Sequence, residues 1–112
     1  MVNPWAGEVL LVVDGESRRC KLTLGALAEL EAALGAGSVL EVARRFETGA
    51  FGARDILAVL LAGLRGGGWQ GTAEDLARAE IDGGPVGAAR AAAELLARAF
   101  GAQVSGQAPA DG

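Results

Sequence analysis

Apolar residues recur along this chain with two different periods, and the change of period divides it. Residues 8–13, EVLLVV, are aliphatic and β-branched, and residues 17–22, SRRCKL, alternate polar with apolar positions. Such runs predict two strands, at about Glu8–Val13 and Ser17–Leu22. The Asp14-Gly15 pair between them is a two-residue hairpin signal. On the second strand Cys20 and Leu22 share the inward face, while Arg19 and Lys21 fall on the solvated one. Arg18 fits the buried side only at that strand's end.

Beyond Thr23 the period lengthens to that of a helix. Leu27, Leu30 and Leu34 fall at i, i+3 and i+7, and Thr23 is placed to cap LGALAELEAAL. Gly35 suits the left-handed position after the last turn. Ser38 and Glu41 have capping-box spacing and predict a second helix, VLEVARRFET, with Val39, Val42, Ala43 and Phe46 on its apolar side. Gly49 and Gly52 flank Phe51 in a short turn. A third helix, about Ala53–Arg65, is apolar on nearly all sides from Ile56 to Leu64, the pattern of a central helix. Thr72 caps a fourth, AEDLARAEI, and Pro85 begins a last one that runs to about Phe100. The final GAQVSGQAPADG is small and polar without a period. The expected architecture is α+β, mainly α: a single domain over residues 1–101, in which an N-terminal β-hairpin precedes a compact bundle of about five short helices. A disordered tail is expected over 102–112.

Composition then narrows the function. A chain of 112 residues supports one modest core. It has no His and one cysteine, Cys20. That excludes an intramolecular disulfide and a cysteine-based zinc site, and it removes the commonest general base. No metal or cofactor is expected. The formal charge of −4 argues against nucleic acid and anionic membrane as partners. The longest apolar run, Ile56 to Leu64, is about half of a bilayer span. No opening segment has the pattern of a signal peptide, so a cytoplasmic protein is the expectation.

One stretch looks like chemistry: GLRGGGWQGT, residues 63–72. A phosphate-binding loop would need a preceding strand and a Lys after the glycines. Here a helix precedes and Gln70 stands where a cation would help. A small nucleotide-binding protein using Gly66–Gly68 is therefore the remotest alternative. The expected role of the cluster is a joint, with Arg65 at a helix end, glycines adopting positive φ, Trp69 packing back and Thr72 starting again. Glu29 with Glu31, and Glu74 with Asp75, are too close in sequence to face each other on a helix, and are assigned to caps and solvated faces. Cys20 lacks a basic partner. Arg18, Arg19 and Lys21 form a solvated strand face that discourages edge pairing. With no catalytic set, the chain suits a binding or assembly module and not an enzyme. Its candidate partner-contacting residues are Trp5, Leu27, Leu30, Leu34, Val42, Phe46 and Trp69, most of which the stripe pattern assigns to the core.

From Asn3 to Phe100 the chain resembles a small gene-transfer-agent family of phage-derived proteins of alphaproteobacteria. The family is grouped with phage tail assembly chaperones and is also labelled a tail tube protein. The order and spacing of LTLGALAELEAALG, FETGAFGARDI, LRGGGW and IDGGP carry the resemblance. It implies a role in tail morphogenesis, with the tape-measure protein and other tail proteins as partners. A tail assembly chaperone would bind the tape measure during tube assembly; the alternative is a structural tube subunit of the particle. A homo-oligomer, or a mixed oligomer with a longer frameshift product, is also implied. An apolar groove between short amphipathic helices is suited to hold another amphipathic helix. Tube proteins are built around larger sheets, whereas this chain has strand signal for one hairpin only.

Overall fold

The hairpin forms where the alternation places it. In the computed structural model, which describes residues 7–35 and 38–107, with side chains as far as 100, strands β1 (Glu8–Val13) and β2 (Glu16–Lys21) pair antiparallel. The register runs from Glu8 opposite Lys21 to Val13 opposite Glu16. Asp14 and Gly15 take φ of 51° and 82°, the two positive angles that a type I′ turn needs. Val9, Leu11, Val13 and Cys20 point into the core, and Leu10 lies on the opposite, solvated face. Trp5 lies outside the described residues.

Five helices follow among the described residues: α1 (Leu24–Leu34), α2 (Val39–Thr48), α3 (Ala53–Gly66), α4 (Ala73–Arg78) and α5 (Gly84–Gln107). The protein is thus an N-terminal hairpin followed by a mostly helical bundle. Thr23 caps α1, its hydroxyl accepting from the Ala26 N–H at 3.1 Å. Gly35 and Gly49 end α1 and α2 in the left-handed conformation, with φ of 63° and 78°. Helix α3 is the central element and packs on α1, α4, α5 and β2. Its Val59, Leu60 and Leu64 are fully buried, and Leu30 of α1, Val42 of α2 and Leu95 of α5 close around them.

The second helix starts differently from the expectation. Ser38 makes no side-chain cap. The cap is supplied by Glu31 of α1, whose carboxylate accepts the Val39 N–H at 2.9 Å. A carboxylate is a stronger acceptor than a hydroxyl and complements the positive end of the helix. The start of α3 is satisfied similarly: Asp55 reaches back to the Gly52 N–H at 2.9 Å and takes a 2.7 Å ion pair from Arg45. Asp55 is buried, so this pair ties α2 to α3. On α4, Thr72 and Asp75 form a reciprocal capping box. The Thr72 N–H and hydroxyl hold the Asp75 carboxyl below its ordinary value of 3.8.

Two further segments correct the sequence reading. The expected fourth helix through Ile81 stops at Arg78, because residues 80–82 pair with β1 instead. Asp14 N–H donates to the Glu80 carbonyl, Asp82 N–H donates to the Val12 carbonyl, and Ile81 forms an antiparallel bridge with Val13. The Asp14 carboxylate also accepts the Glu80 N–H at 2.8 Å. Long-range strand pairing here overrides a helix-favouring local sequence. The backbone of α5 carries on to Gln107, past Phe100. Elongating an existing helix needs only one residue fixed per added bond. Residues 108–112 of the expected tail lie outside the described residues.

Candidate functional site

The glycine cluster is settled by its surroundings. Only Gly68 of the three has positive φ, at 102°. Gly66 and Gly67 are glycine for another reason: a Cβ on either would stand 2.0 Å from the Lys21 carbonyl oxygen or 1.9 Å from that of Arg19. The Val12 and Asp14 bonds to residues 80–82 show which way the hairpin's backbone groups alternate. By that alternation the Arg19 and Lys21 carbonyls face away from β1, on the outer edge of β2. The last turn of α3 therefore lies flush on that edge. The space a phosphate would need is filled by carbonyl oxygens, which repel it. Arg65 points to Glu29 of α1 at 3.6 Å. Trp69 is half-buried against the core, its ring over Gly71.

Cys20 is fully buried, and burial pushes its thiol up to about 12, so it is a packed neutral side chain and no nucleophile. Among the described residues no group of three His, Cys, Asp or Glu side chains could hold a metal ion. Among the same residues no helix is long and apolar enough to cross a membrane.

What the surface does offer is an apolar trough along α1, α2 and α5. One part, of about 300 Å³, is bounded by Leu24, Leu27, Val39, Leu40 and Phe100. The adjoining part, of about 590 Å³, is bounded by Leu40, Ala43, Phe46, Leu96 and Phe100. Leu40 and Phe100 border both, so the two parts adjoin. Leu24 is 85% exposed and Leu40 is 59% exposed. Phe46 stacks on Phe51 with ring centroids 4.6 Å apart and planes 4° from parallel, which holds it at the trough wall. Arg44 and Glu47 stand at the rim on α2, and Glu31 stands on α1. The Glu31 cap ties the start of α2 to α1 beside the trough.

The sequence-derived contact residues divide on this surface. Leu27 and Phe46 line the trough. Leu30 and Val42 are fully buried and available to no partner. Leu34 and Trp69 are half-buried against the core and line neither part of the trough. Leu24, Leu40, Leu96 and Phe100 were not among those candidates. Leu40 carried a usable signal: it is a large aliphatic residue beside the apolar stripe of α2, at a position that helical periodicity assigns to solvent. Leu24 carried the same signal at the first position of α1.

The matched span decides the family. A family model described as "Phage tail tube protein, GTA-gp10" matches residues 6–102, which includes the hairpin and the whole trough. The chain belongs to this family. As a GTA-gp10 family protein it serves the morphogenesis of a phage-like tail. Its interactions are with other components of that tail. Comparison of this GTA-gp10 family chain with curated proteins and with solved structures returns no match.

Proposed function

We propose that this tail-morphogenesis protein acts as an assembly chaperone, holding amphipathic helical segments of the tape-measure protein in the α1–α2–α5 trough while the tube is built, before the particle leaves the cytoplasm. The observation that carries this reading is the exposure of Leu24 and Leu40 beside two adjoining apolar hollows. Large aliphatic side chains left open beside an aromatic-lined groove are a feature of helix-in-groove recognition. Each contact is small, so coating a long partner relies on many copies acting together. Co-expression with the tape-measure protein tests the reading. The expected result is soluble, co-purifying tape measure with the wild type, and loss of both with Leu40→Glu. A wild-type protein that neither solubilises nor retains the tape measure ends this proposal.

A second reading, a structural tube subunit, is favoured by the printed description of the family. Against it stands the sheet, which among the described residues has two strands and one bridged segment. Mass spectrometry of purified particles separates the two: a tube subunit is present in many copies per particle, and a chaperone is absent.

A further inference from the structure

The two edges of the hairpin differ. The tip of α3, at Gly66 and Gly67, covers the outer carbonyls of β2. On β1, residues 80–82 take the Val12 carbonyl and the Asp14 N–H. By the same alternation the N–H and carbonyl groups of Glu8 and Leu10 point outward on that edge. Among the described residues these groups have no hydrogen-bond partner. Leu10, in the middle of this stretch, is 68% exposed. An open edge with a large aliphatic residue at its centre is a template for strand pairing.

The open stretch is short, and its ends restrict what can pair with it. Asp82 donates to the Val12 carbonyl, so the place opposite Val12 is taken. An added strand must therefore end or turn aside after the residue opposite Leu11. The β1 strand itself has this form: it starts at Glu8, and Gly7 before it leaves the extended conformation at φ 88°. Two β1 strands related by a two-fold axis fit antiparallel, with Glu8 opposite Leu10 and Val9 opposite Val9. Glu8 and Leu10 of each copy then exchange both N–H···O bonds with Leu10 and Glu8 of the other. Pairing Leu10 with Leu10 instead would drive Glu8 onto the place held by Asp82, another carboxylate. In the permitted register no like charges meet at the seam. Lys21, Glu8, then Leu10 and Arg19 of the second copy follow one another across the outer face. The two exposed Leu10 side chains become diagonal neighbours, within reach of each other.

We infer that this protein forms a two-fold dimer by pairing the β1 edges over residues 8–11, which joins the two-stranded sheets of both copies into one. Because the β2 edges stay covered, growth stops at two copies. So short a seam makes an association of the transient class, below about 1,200 Å². The pairing uses no residue of the α1–α2–α5 trough, so its failure would leave the chaperone reading standing.

Sedimentation velocity of the full chain from about 10 μM to about 1 mM tests it. A monomer–dimer equilibrium with nothing larger is expected. Leu10→Lys, at an exposed position, is expected to weaken dimerisation at least about tenfold while the melting temperature holds. Disulfide cross-linking reads the register, since the native Cys20 is buried and does not compete. Under oxidation, a mixture of Glu8→Cys and Leu10→Cys chains is expected to form the mixed dimer faster than either variant forms its own, because only the mixed pair stands directly opposite. A protein that stays monomeric, species that grow beyond two copies, a dimer unaffected by Leu10→Lys, or a mixed cross-link no faster than the others would each overturn the proposal.

Discussion

The Glu31 carboxylate of α1 accepts the backbone N–H of Val39, the first residue of α2, at 2.9 Å. One side chain thus terminates one helix's surface and starts the next. Replacing Glu31 by Ala leaves the α2 N-terminus without its acceptor, and a lost N-cap costs about 1 kcal/mol. Urea denaturation should show the midpoint falling by a corresponding amount with an unchanged slope. Glu31→Gln, which keeps an acceptor oxygen, should recover part of the loss. An unaltered midpoint in Glu31→Ala would show that the cap contributes nothing.

The glycines at the end of α3 make a contrasting set. Gly67→Ala forces a methyl to 1.9 Å from the Arg19 carbonyl oxygen, so β2 and α3 must separate. Overpacking against backbone of this kind costs about 2 kcal/mol or more. Gly25→Ala lies inside α1 with nothing within 4 Å of the new Cβ. It should stabilise by about 0.5–1 kcal/mol through helix propensity and a less flexible unfolded chain. Thermal melts of the two variants should move in opposite directions.

Burial of Cys20 fixes both its reactivity and a pH dependence. Its pKa is raised from 9.0 to about 12 by desolvation. A group with a raised folded-state pKa contributes its full stability below the unfolded value, and that contribution is lost as pH rises through the folded one. Stability should therefore hold with respect to this group up to about pH 8.5, the ordinary cysteine range, and decline above it. The decline should be absent in Cys20→Ala. At pH 8 the native thiol should resist a thiol-reactive dye and label at the rate of unfolding, and rapid labelling without unfolding would contradict its burial.

Leu40 and Leu30 separate surface from core. Leu30→Ala removes a fully buried side chain and should destabilise by about 2–5 kcal/mol. Leu40→Glu at a 59% exposed position should change stability by no more than about 0.5 kcal/mol, while still losing the tape measure in co-purification. A large stability loss in Leu40→Glu would make that side chain structural and remove it from the trough argument.

The comparison of residues with coordinates has a consistent pattern. Elements with a strong local signal lie where periodicity and turn chemistry put them: the Asp14-Gly15 hairpin, the Thr23 and Thr72 caps, and the Gly35 and Gly49 stops. What sequence spacing did not show depends on groups far apart in the chain. Glu31 displaced Ser38 as the cap of α2, and residues 80–82 left the helical pattern for β1. Gly66 and Gly67 were expected to serve turn geometry, but they serve close approach to β2, a distinction that needs the partner strand's position. The same limit applies to the trough. Phe46 and Leu27 were legible from their stripes, whereas Leu40 becomes meaningful only once α5 brings Phe100 alongside it.

The flush contact of α3 on β2 also governs how this protein can meet other chains. A strand seeking to extend the sheet at β2 would need the outward carbonyls of Arg19 and Lys21, and the tip of a buried helix already covers them. Strand addition on that side therefore requires partial unfolding, with α3 lifted away from the core. Backbone templating at β2, the route by which small sheets nucleate aggregates, is blocked by two hydrogen atoms standing where side chains would otherwise be.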